Sequence, residues 1–204
     1  MKIRSVVLFI LFLLIACGGF AQHFVRMEPK YGTENKDLQN VLNFENIYLE
    51  QLSFKGPSVN GKQYKIVIKE FLDGRLKDSS VLFDGTELDL FMVNEDSVSV
   101  SFAFKLADGN LKAQVFGQGF GSQKVYLPLL EKADDYALKD FFGSNKQLTI
   151  NIDTANAILA IITPTIHEDG SGSYCEVAQS DVLPEALGRA FKIPHYFVIY
   201  ISFV

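Results

Sequence analysis

Tryptophan is absent, cysteine occurs twice, histidine three times, and no two lysines or arginines stand side by side. Each shortage excludes something. Nucleic-acid binding needs a clustered basic face, and none can be built from isolated basic residues. With Lys2 and Arg4 removed along with an N-terminal signal, 17 basic residues face 24 acidic ones, a net charge of −7 that repels phosphate.

The two cysteines are Cys17, in the signal, and Cys175, which is left without an intramolecular disulfide partner. A reactive thiolate needs a basic or helix N-terminal setting, which Tyr174 and Glu176 do not supply, so Cys175 reads as a buried thiol. His23, His167 and His195, with no HExxH or CxxC, form no zinc pattern. His167, Glu168 and Asp169 could hold a hard cation with Glu176, but HEDGSGS has the composition of a solvated loop. No metal or cofactor is expected. Without tryptophan a carbohydrate platform loses its favoured side chain, whereas 18 phenylalanines and 8 tyrosines predict a core packed with Phe. Exposed tyrosines, which offer area with a polar tip, are the expected contacts for any ligand.

What is present begins with an export signal. Lys2 and Arg4 precede an apolar run, Val6 to Ala16, which is too short for a membrane span of about 20 residues. Two cuts are possible. Gly19 and Ala21 place small residues for cleavage after Ala21, whereas Leu14, Ile15, Ala16 and Cys17 resemble a lipobox, in which Cys17 is lipidated and becomes the anchored first residue. The expected organisation is a signal peptide over 1–21, an N-terminal segment with a short helix over 22–43, and a single β domain over 44–204.

From Phe44 the dominant period is two. In SVSVSFAFKL, Val98, Val100, Phe102, Phe104 and Leu106 share one face and serines hold much of the other, as a half-buried strand requires. Similar runs at 44–54, 63–72, 76–83, 87–93, 111–116, 124–130, 148–152, 157–163 and 196–203 predict a mainly β fold, an antiparallel β-sandwich or small barrel of about ten strands. Asp73-Gly74 and Asp108-Gly109 predict tight hairpin turns. Two or three short helices are expected: 34–42 with Thr33 as N-cap, 132–142 ended by Gly143, and 183–192 opened by Asp181 and Pro184. Each would cover a sheet edge or an open end. The closing run HYFVIYISFV is apolar on both faces except at Ser202, and so belongs in a strand covered on both sides.

No catalytic constellation stands out. VFGQGFGSQK carries Gly117, Gly119 and Gly121 without a phosphate-binding pattern, and reads as a bulge or wide hairpin loop. Asp84, Glu87, Asp89, Glu95, Asp96, Glu131, Asp134 and Asp135 are plentiful carboxylates, of which a glycosidase would need only two facing across a cleft.

With the export signal, YKIVIKEFLDGRLKDSSVLF (Tyr64 to Phe83) and the ending AFKIPHYFVIYISF, the chain resembles exported protein families of Gram-negative gut bacteria, catalogued as domains of unknown function. The resemblance implies an envelope or extracellular address and transfers no active site. The expected function is therefore an exported, non-catalytic binding or structural role. The alternatives are an apolar-ligand carrier with a lidded β-barrel and a carboxylate-pair hydrolase.

Overall fold

A computed structural model describes residues 23–167, 170–174, 177 and 182–204. The expectations placed on Cys17, Ala21, Glu168, Asp169, Cys175, Glu176 and Asp181 lie outside these residues.

Two antiparallel sheets form a β-sandwich, and neither closes into a barrel. The larger holds β1 (Phe24–Tyr31), β2 (Ile47–Lys55), β5 (Ser97–Ala107), β6 (Asn110–Gly117), β7 (Phe120–Gly121), β8 (Val125–Pro128) and β10 (Leu148–Asn151). Its order is β10-β1-β2-β5-β6, with β7 and β8 both pairing with β6. The smaller is ordered β4 (Arg75–Asp84), β3 (Tyr64–Leu72), β14 (His195–Phe203), β11 (Asn156–Ile162) and β9 (Ala137–Asp140). A separate two-stranded ribbon joins β12 (Thr165–Ile166) to β13 (Gly172–Ser173).

Alternation along the strands fills the space between the sheets. Met27, Leu52, Phe54, Phe102 and Phe104 from one sheet meet Ile66, Ile68, Phe197, Ile199 and Ile201 from the other in one cluster. Strand β14 buries eight of its nine residues because its other face is covered as well. Tyr196, Val198 and Tyr200 pack with Phe71, Ile162 and Leu187 in a second cluster outside the smaller sheet. Leu187 comes from α2 (Leu187–Ala190), which continues a single 3-10 turn at Pro184–Ala186. Here α2 lies directly on the β3–β4 turn: a Cβ on Gly188 would stand 2.6 Å from the Gly74 nitrogen.

Both Asp-Gly turns form as predicted. Asp73 and Gly74 have φ of 49° and 70°, Asp108 and Gly109 52° and 71°, the paired positive angles of a two-residue hairpin turn.

Several expectations need correction. The strand period starts at Phe24, because Val25 and Met27 point into the core from β1. Its Pro29 had obscured the pattern; β10 pairs only with Phe24 to Met27, so at Pro29 the strand is an edge and loses no ladder bond on that side. The helix expected over 132–142 is instead a 3-10 turn, Ala133–Asp135, followed by β9, since the free edge of β11 offers those backbone groups partners. The strand expected over 87–93 is two 3-10 turns, Gly85–Glu87 and Asp89–Phe91, opened by the Asp84 carboxylate accepting from the Thr86 amide. The Gly117–Gly121 stretch is a tight hairpin, with Gly117 paired to Phe120 across Gln118 and Gly119.

The first helix, α1 (Lys36–Phe44), is capped by Asn35 rather than Thr33, the Asn35 side chain accepting from the Leu38 amide at 3.1 Å. Of its apolar residues only Leu42 is buried; Leu38 and Val41 face outward.

Each large apolar side chain buried by β14 contributes about 1.5–3 kcal/mol. Deleting Tyr196 to Val204 therefore prevents folding, and a truncated chain that stays soluble and melts cooperatively would contradict this.

Candidate functional site

Polar chemistry gathers at two places, at opposite ends of β14. One is where the strand begins. His195 at the start of β14 pairs with Leu72, and its side chain points between the sheets toward Glu70 of β3 and Tyr136, which follows the 133–135 turn. All three side chains are buried.

Their protonation follows from the partners. The Glu70 carboxylate can only accept, so His195 Nε2 carries a hydrogen and donates to Glu70 Oε1 at 2.9 Å. Lys77 Nζ donates to the same oxygen at 2.8 Å. His195 Nδ1 is thereby left as an acceptor for the Tyr136 hydroxyl at 2.5 Å, and the Tyr136 oxygen accepts from the amides of Leu130 and Glu131 at 3.4 and 3.3 Å. Burial holds the imidazole below its usual pKa against the opposing pull of Glu70, and burial likewise raises the Tyr136 phenol. Both shifts favour the neutral forms of the pair. A carboxylate, an imidazole and a hydroxyl in a row have the order of a catalytic relay, but every hydrogen-bonding position of the Tyr136 hydroxyl is taken and the imidazole is 1% exposed. The network ties β3, β14 and the 130–136 segment together.

Glu50 lies toward the same end, on the core face of β2 in register with Leu52 and Phe54. Its residue is 3% exposed and its Oε1 has no partner, one of two such buried side-chain atoms among the described residues. Burial first, and the charge of Asp140 second, push its carboxyl up to about 7.

The second place is a groove of about 790 Å³ at the far end, reaching Tyr64 where β3 pairs with the end of β14. Ser97, Ser99 and Ser101, alternate residues on the outward face of β5, form its floor with Gln51 of β2. The Ser99 hydroxyl lies 2.8 Å from that of Ser53, and Gln51 Nε2 donates to Ser101 Oγ at 3.4 Å. Phe91, Phe116 and Phe120 supply apolar wall. The two rings of the β6–β7 hairpin need its glycines: a Cβ on Gly117 would stand 2.0 Å from the Phe120 ring, and one on Gly121 3.2 Å from that of Phe116. Phe120 also stacks on Phe83 with centroids 4.5 Å apart.

Of the carboxylates singled out in the sequence, only Glu95 lines this groove. Asp84 is held by Lys65 and Thr86, which keep its carboxyl down at about 2, Asp96 is bonded by Asn60, and Asp134 by Asn46. His23 pairs with Asp153 at the surface. No group of three or more metal-ligating side chains occurs among the described residues. Of the tyrosines, Tyr31 and Tyr126 are well exposed, and neither lines the groove. The chain matches no family model, no curated protein and no solved structure.

Sequence reasoning passed over Glu50, Glu70 and Tyr136. A signal existed for the first two, because each carboxylate falls on the inward beat of its strand, Glu50 with Leu52 and Phe54, Glu70 with Ile66 and Ile68. An acid in phase with core residues must be paired, protonated or costly.

Two outcomes follow. Tyr136→Phe leaves His195 Nδ1 and two amides without their partner, so urea denaturation should register a loss of about 2 kcal/mol; an unchanged midpoint would contradict the network. Glu50 binds its proton more tightly folded, at about 7, than at its usual 4.5, so its contribution is full below 4.5 and is lost as pH rises through 7. Glu50→Gln should therefore raise the melting temperature at pH 8 and lose that advantage by pH 5, and equal profiles for the two proteins would refute the assignment.

Proposed function

We propose that this chain is an exported, non-catalytic binding protein of the cell envelope, and that the groove over β5 and the β6–β7 hairpin is its binding site. The observation that carries the reading is the separation of chemistries. The relay of Glu70, His195 and Tyr136 is sealed in the core, whereas the open groove offers hydroxyls, amides and phenyl rings, with Glu95 the only charged residue lining it among the described residues. A surface of that kind recognises; it holds no general base beside an acid.

The address is taken from the sequence. The basic start, short apolar run and small residues near Ala21 support export, and Cys17 supports either a lipid-anchored or a released form, depending on which cut is used.

The two other readings receive less support. A lidded barrel carrier requires closure, and the two sheets have free edges. A hydrolase of the carboxylate-pair type requires a second carboxylate across from Glu95, and among the described residues the groove lining has none.

The mature protein, incubated with arrays of glycan, ester and peptide substrates, should yield no turnover. Robust turnover that disappears in Glu95→Gln, with the melting temperature unchanged, would overturn the non-catalytic reading.

A further inference from the structure

We infer that the ligand of the groove is a neutral, hydroxyl-rich chain, an oligosaccharide, lying along the Ser97–Ser99–Ser101 row and stacked against Phe116. The inference rests on the groove being a binding site, and three features of the lining select the ligand class.

The first is charge. Among the described residues no lysine or arginine lines the groove and Glu95 does, and Lys55, which pairs with Ser97 from β2, has its ammonium held by Glu28, so phosphate, sulfate and uronic-acid groups meet no free counter-charge there and one repulsive carboxylate. The second is hydrogen-bonding character. Serine hydroxyls both donate and accept and rotate to suit, which matches sugar hydroxyls, themselves donors and acceptors. Ser97 and Ser99 are exposed, and the Ser53 and Gln51 contacts to Ser99 and Ser101 hold the row in place while leaving lone pairs or hydrogens to spare. Alternate residues on one strand face recur at about 6.6–6.8 Å, so the row presents a linear set of polar contacts suited to an extended chain rather than a compact ligand.

The third is the aromatic ring. Phe116 pairs with Ser101 across β5 and β6, lies on the same outward face as the serines, and is 40% exposed. Gly121 opposite it leaves space for the ring, which a side chain at that position would crowd. An exposed phenyl ring fixed beside a row of hydroxyls offers the apolar face of a sugar a surface to stack on while its hydroxyls reach the floor. Phe116 thus takes the part that the missing tryptophan would have filled.

The test uses the full mature chain, the Phe116→Ala and Ser99→Lys variants, and three immobilised sets: neutral oligosaccharides of glucose, mannose, xylose and N-acetylglucosamine, their sulfated or uronic-acid counterparts, and a library of decapeptides. Neutral oligosaccharides should bind, at least about tenfold more weakly to Phe116→Ala and without detectable binding to Ser99→Lys, both variants melting within a few degrees of the parent. Groove-dependent binding of peptides or of anionic glycans alone would overturn the ligand class and leave the groove a binding site. If no set binds, or if binding is indifferent to both substitutions, the ligand class falls, and in the second case the groove falls with it.

Discussion

A strand that must be dry on both faces dictates what surrounds it. The run from His195 to Phe203 buries nearly every residue, so the sheet it enters has to be covered twice, once by the larger sheet and once by the chain around α2. Its place between β3 and β11 gives hydrogen-bonding partners to both of its backbone edges. The Asp73-Gly74 turn and Gly188 then allow α2 to lie directly on the β3–β4 hairpin, which closes the second cluster. The sandwich is thus a consequence of one doubly buried strand and the two surfaces it demands.

Burying that strand carries a polar side chain inside with it. His195 enters at the first position, and a buried imidazole needs a partner at each nitrogen. Glu70 and Tyr136 provide them, and Lys77 and two backbone amides complete the outer positions. The same logic is left incomplete at Glu50, where one oxygen has no partner and the carboxyl keeps its proton to nearly neutral pH. Packing therefore shifts Glu50 and His195 away from their ordinary protonation behaviour. Perturbed acids and bases often mark active sites, but for Glu50 and His195 burial is the leading cause and access is missing.

The parts of the fold legible from sequence were those set by local period. The alternation of β5, the Asp-Gly turns and the twofold burial of β14 follow from residue types at fixed spacing. What escaped was decided at a distance. Ala133, Ala137 and Phe141 recur at helical spacing, yet Ala137–Asp140 joins β11 because an unpaired edge is waiting there. Strand β1 hides behind Pro29, which is harmless only because β10 stops short of it. The groove was invisible for the same reason: Ser99, Phe116 and Glu95 lie on separate segments, and only the packing of the 88–95 turns beside β5 and the β6–β7 hairpin brings them to one surface. Its glycines were noticed, but a phenyl ring seated on each of two of them is a tertiary fact.

The central claim is that the buried relay of Glu70, His195 and Tyr136 serves structure. Following the ring nitrogens of His195 by NMR as pH is varied tests this most directly. The account predicts a neutral tautomer with hydrogen on Nε2 at neutral pH, and a titration displaced below the ordinary histidine value. An imidazole that titrates at or above its ordinary value in the folded protein would contradict it, since burial would then not govern the charge of the ring.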